Sequence, residues 1–192
     1  MLTERAGSGA NRVRGRAGRG DLDSAPMPSI FEPEWEQRFD DPPLRHRSLR
    51  VGTHAGSREL GATVFEIDPG GRVSPLHVHH ANEELLIVLS GRPTVRTRNG
   101  EREVETGEVV AFPRGAAEGG HQILNRSDAP VRVLMVSTMN FPDVVQHLDS
   151  KKVLVATAPW PGLEPPDDAD EVWGAWRAGD VTQPFEGEMG DV

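Results

Sequence analysis

Residues 74–91, SPLHVHHANEELLIVLSG, set three histidines and two glutamates directly before a run of branched aliphatic side chains. Leu85 to Leu89 need burial, so the polar cluster beside them sits at the edge of the interior. On both sides of this stretch the chain reads as short alternating runs: LGATVFEI, EELLIVLS, PTVRTR, EREVE, EVVAF, HQILN and VRVLMVST. DPGG, SG, NG, TG and SDAP lie between them and are turns by their chemistry, Asn99-Gly100 being the clearest hairpin signal. Closely spaced strands without helical periodicity between them predict an all-β sandwich or small barrel.

The 192 residues suffice for one core with extensions. Residues 1–26 include the arginine- and glycine-rich RAGSGANRVRGRAGRG. They have almost nothing to bury, so a disordered arm is expected, with Met27 as the alternative start that the break in composition suggests. Residues 27–59 read as an N-terminal extension in which EPEWEQRFDDPPL is a linker or one short helix broken by Pro42 and Pro43. Residues 60–140 form the barrel, and residues 141–192 an acidic C-terminal extension. In that extension KKVLVATAP adds one strand, and Trp160, Trp173 and Trp176 pin the segment to the domain surface.

Composition narrows the function. Without cysteine there is neither a disulfide nor a thiolate ligand, so any metal is held by nitrogen and oxygen. The chain has no apolar run near the roughly 18 residues that cross a bilayer and no apolar leader, which predicts a cytoplasmic protein without a membrane partner. From Glu164 onward nine acids face one base, so −8 of the net −9 lies in the tail. The rest lacks the basic face of a nucleic-acid binder.

His77 and His79 are one residue apart in an extended segment and leave the same face, roughly 6.6 Å apart along it. Two imidazoles can then converge on one ion. Either Glu83 or Glu84 can add an oxygen from the start of the apolar strand, and His121, after the turn at Pro113 and Gly115, offers a third nitrogen.

These residues carry a family resemblance. GRVSPLHVHHANEELLIVLSG, residues 71–91, resembles the first cupin motif: a glycine, five residues, His-x-His, a short gap, a glutamate, six residues and a glycine. The count from His79 and to Gly91 assigns the glutamate position to Glu84. GEVVAFPRGAAEGGHQILN, residues 107–125, resembles the second motif, with five residues in place of the usual two between Gly115 and His121. The resemblance implies a double-stranded β-helix, a conical jelly-roll barrel, that binds a divalent metal through His77, His79, Glu84 and His121, and it is nearest to small single-domain bacterial cupins of unassigned activity. His80 and Glu83 point away from the ligand face. His46, His54 and His147 read as surface or satisfied core residues, and Gly71, Gly91, Gly107 and Gly115 as turn glycines.

Three imidazoles and one carboxylate suit Fe, Mn, Ni, Zn or Cu. A six-coordinate ion so held keeps two positions for small-molecule oxygens or dioxygen, which implies an isomerase or dioxygenase acting on a sugar or organic acid. The other reading is a non-catalytic metal- or metabolite-binding or sensor module. The chain lacks tyrosine, which excludes a phenolic acid catalyst. Val64, Leu86, Val88 and Ile123 are expected to point inward, with Glu118 as one extra acid beside His121. Leu85, Ile87 and Leu89 then lie on the outer face and need cover from the segment around Phe31 and Trp35 or from a second chain, so a homodimer is expected.

Overall fold

Along Val131–Thr138 the burial alternates, Val131, Val133 and Met135 being buried while Arg132, Leu134 and Val136 are less so. That is the pattern of a strand with one face on a core. The computed structural model describes residues 27–115, 118–158, 173–177 and 179. The arm at residues 1–26, Trp160 and most of the acidic tail lie outside the described residues. The described chain forms β1 Gln37–Phe39, β2 His46–Leu49, α1 Val51–His54, β3 Leu60–Ile67, β4 His77–His79, β5 Glu84–Ser90, β6 Thr94–Thr97, β7 Gly100–Glu103, β8 Val109–Phe112, β9 His121–Leu124, β10 Val131–Thr138, β11 Asp143–His147, β12 Lys152–Ala156 and β13 Trp173–Arg177. Among the described residues no helix is long and apolar enough to cross a membrane.

One sheet runs β1-β2-β3-β10-β5-β8 and the other β13-β12-β11-β4-β9-β6-β7. The pairings are antiparallel, as expected for a jelly roll. Ile67, Leu86, Val88, Val95, Phe112, Ile123 and Val133 belong to the main core cluster. EPEWEQRFDDPPL, expected as linker or helix, contains β1, which pairs with β2. KKVLVATAP supplies β12, as expected. On β13 the ring of Trp176 is half exposed, so that strand joins the edge through its backbone ladder to β12.

Leu86, Val88 and Ile123 point into the main cluster as expected, but Val64 does not. It is fully buried on the opposite face of β3, in a second cluster with Leu49 and Val51, against which Ile30, Trp35, Leu89 and Leu134 pack. Alternation gave the parity of β3 but not which set faced inward: the set with Thr63 and Phe65 does. Gly91 sits in its turn at φ 79°, a conformation that favours glycine. Gly71 is required for a different reason, since a Cβ there would lie 2.2 Å from the Arg45 carbonyl oxygen.

On the outer side of β3, Glu66 joins two strands. Arg47 donates to one of its oxygens at 2.9 and 2.5 Å, and Arg132 to the other at 2.6 Å. Trp35 lies against both guanidiniums, 4.5 and 5.5 Å from its ring centre. Burial alone would raise the Glu66 carboxyl, but Arg132 and Arg47 hold it below its ordinary value of 4.5. A depressed carboxyl stabilises the fold above its ordinary value and loses that contribution as pH falls through the folded one. Glu66→Gln is therefore expected to cost about 1–3 kcal/mol at neutral pH. In urea titrations the gap between the two proteins should narrow below pH 4.5; an unchanged gap would show that the carboxylate charge contributes nothing.

Candidate metal centre

Three residues make up β4, His77-Val78-His79, and their alternation sends Val78 into full burial while both histidines face the space between the sheets. His77 is the register partner of His121 on β9 and of His147 on β11. Glu84 opens β5 on the facing sheet, opposite Phe112. The ligand atoms of His77, His79 and Glu84 lie within 4.8 Å of one another. His121, outside that trio, approaches through its Nε2, 3.0 Å from Glu84 Oε2, and its ring centre is 4.6 Å from that of His77. All four residues named from the motifs are thus brought together.

Each ring is held by its Nδ1. The His77 Nδ1 meets the Pro75 carbonyl at 2.9 Å, the His121 Nδ1 meets the Gly119 carbonyl at 2.8 Å, and the His79 Nδ1 meets Asp143 Oδ2 at 2.6 Å. Carbonyls and carboxylates only accept, so each Nδ1 carries the proton and each Nε2 is left for another partner. His121 is further fixed by stacking on Phe112, ring centres 3.9 Å apart.

The electrostatics favour a neutral His77 beside an ionised Glu84. Burial, with His121 and His79 adjacent, pushes His77 down to about 3. Burial would raise Glu84, but the close contact with His121 and the neighbouring histidines bring it down to about 2. His79 differs, for burial lowers it while Asp143 and Glu84 raise it above its ordinary value. Three nitrogen donors and one carboxylate, three of them mutually within 4.8 Å and His121 reaching the group through Glu84, form a set that fits a divalent first-row ion.

Asp143 was not visible in the sequence as part of this cluster. It stands 64 residues from His79 and is nearly inaccessible, and its other oxygen accepts the Ala81 backbone N–H at 3.0 Å. Only the pairing of β11 with β4 brings it there. Glu118 and Glu83 are exposed and line no part of the cavity, and His80 is exposed as well. His46 is a satisfied core residue, bonded to the Arg72 carbonyl at 3.0 Å, and His54 contacts Glu36 at the surface. The four clustered residues line a cavity of about 380 Å³ that opens between the sheets.

A family model described as "Cupin domain" matches residues 63–137. No curated protein sequence matches the chain. Among solved structures, a candidate sugar phosphate isomerase from Acidithiobacillus ferrooxidans is similar at 25% identity and a TM-score of 0.63, over 78% of this chain and 87% of its own. A cupin-superfamily sugar phosphate isomerase from Silicibacter pomeroyi is similar at 24% identity and a TM-score of 0.65, over 84% and 98%. At that identity the second likeness concerns the fold.

Proposed function

Because a cupin-domain family model matches residues 63–137, we propose that the chain is a cupin and a metal-dependent enzyme of the isomerase or dioxygenase type. The divalent ion is held by His77, His79, Glu84 and His121, and the substrate is a small oxygenated molecule, a sugar or an organic acid. The observation that carries the reading is the pinning of three Nδ1 atoms, which leaves three Nε2 atoms beside the Glu84 carboxylate at the wall of a cavity. A bound ion supplies Lewis-acid polarisation of a substrate oxygen or, if it is iron, dioxygen activation. The chain's own part is to fix the rings, keep His77 neutral and Glu84 ionised, and limit water around them. The Acidithiobacillus neighbour, described as a candidate sugar phosphate isomerase, supports the isomerase branch.

One observation favours the alternative of a binding or sensor module. Among the described residues lining the cavity, the titratable groups are the four ligands, Asp143 and Arg50, and Asp143 is already committed to His79. Among the described residues no independent general base lines the cavity. Metal-loaded protein should be incubated with aldose phosphates and 2-oxo acids and followed by NMR and an oxygen electrode. Turnover that chelator abolishes and metal restores supports the enzyme; metal binding without turnover supports the module.

Asp143 has the place of a partner that orients a ligand histidine. Asp143→Asn is expected to weaken metal binding about 10- to 100-fold, read by competition with a chromophoric chelator, with the circular dichroism spectrum unchanged. Unaltered affinity would show that His79 needs no carboxylate to orient it.

Pairing of two chains is proposed through the outer face of β5 and β8. There Leu85 and Ile87 are half-buried, and Val109, opposite Ile87, is 58% exposed. Light scattering at micromolar concentration should give twice the 20.9 kDa of one chain; a monomer would rule the pairing out.

A further inference from the structure

The walls of the metal cavity do not suit a phosphorylated sugar. Phe65, Val73, Ile123, Met135, Phe141 and Val145 supply much of the lining. Met139 leans over β3, its sulfur 2.7 Å from where a Cβ on Gly61 would stand. The polar groups in the wall are few, and several are occupied. The Asn82 side chain is bonded to Asn140 and Thr138, and the Ser137 hydroxyl to the Thr138 carbonyl. The Ser74 hydroxyl lies against His77. Thr53 and Thr63 are the hydroxyls left among the described lining residues.

Charge points the same way. Among the described lining residues Arg50 is the sole arginine or lysine, and it is half exposed and faces Glu36, whose carboxylate lies 3.6 Å from its Nε and also accepts its backbone N–H at 3.0 Å. Away from the ion itself, a phosphate dianion would meet among the described lining residues only this arginine, already paired with Glu36, and the sugar hydroxyls would lose water with few partners to gain. An apolar body loses nothing by entering the same walls.

We propose that the cavity selects a small molecule with an apolar, branched or aromatic body and two adjacent oxygens at one end, as in a 2-oxo acid, and that it rejects phosphorylated sugars. This rests on the metal reading above, since the paired oxygens are to occupy the two positions that four protein ligands leave on a six-coordinate ion.

The test is calorimetric titration of the Mn(II)-loaded full chain, its metal content measured on the same samples. The probes are pyruvate, 2-oxobutanoate, 4-methyl-2-oxopentanoate, 4-methylpentanoate, glucose 6-phosphate and fructose 6-phosphate. Dissociation constants should fall about fourfold for each added methylene, the equivalent of about 0.8 kcal/mol. 4-Methylpentanoate, lacking the 2-oxo oxygen beside the carboxylate, should bind at least tenfold more weakly than its 2-oxo counterpart, and so should both sugar phosphates. Met139→Gln, nearly the same size as Met, should flatten the dependence on chain length while leaving the metal content unchanged. Metal-loaded protein that prefers a sugar phosphate, or shows no chain-length dependence, overturns this inference alone. Protein that takes up no metal overturns instead the reading on which it rests.

Discussion

His121→Ala and Glu84→Ala are expected to lose the divalent ion under conditions in which the unaltered chain retains it. His121 and Glu84 touch at 3.0 Å, and Glu84 also lies within 4.8 Å of His77 and His79 through their ligand atoms. Removing the carboxylate deletes the only anionic donor of the four. Removing His121 deletes the nitrogen that approaches Glu84 from β9 and leaves a gap against Phe112, on which its ring is stacked. Either loss should exceed the roughly 10- to 100-fold penalty of deleting a partner that merely orients a ligand. His80→Ala and Glu83→Ala serve as controls, because both side chains are exposed and neither lines the cavity. Elemental analysis after dialysis reads the outcome. If His121→Ala retained metal undiminished, the site would consist of His77, His79 and Glu84 alone; if Glu84→Ala did so too, the assignment would fail.

Chelation should lower the melting temperature by several degrees. An ion that binds only the folded site stabilises it by mass action, about 2.7 kcal/mol at a free concentration 100 times the dissociation constant. For a chain of this length that corresponds to about 5–11 °C, at roughly 2–4 °C per kcal/mol. The shift should scale with the logarithm of free metal and vanish in Glu84→Ala. Equal melting temperatures with chelator and with excess metal would show that no ion binds the folded state preferentially.

The strands and most of the cluster were legible because their signals are local. Period-two alternation marked β3, β5 and β10, and strand parity alone put His77 and His79 on one face. Glu84 over Glu83 was settled by motif spacing, and the structure shows why parity agrees: Glu84 faces the histidines while Glu83 is exposed. The longer interval before His121 did not displace it, since its pairing with His77 is set by the β4–β9 ladder and not by the loop. What sequence missed is non-local. Asp143 has no spacing relation to His79, β1 is too short to show a period, and Val64 has the right alternation on the unexpected side.

The donors belong to different sheets: Glu84 comes from the β3-β10-β5 sheet, and the three histidines come from β4 and β9 of the other. An ion held by all four would act as a rivet across the mouth of the sandwich. Separation of the sheets would then have to wait for the ion to leave, so the lifetime of the native state, and not only its free energy, would be set by metal dissociation. Amide protons of β4 and the start of β5 would exchange at a rate tied to that departure, making the slowest opening of the barrel a clock run by a single ligand.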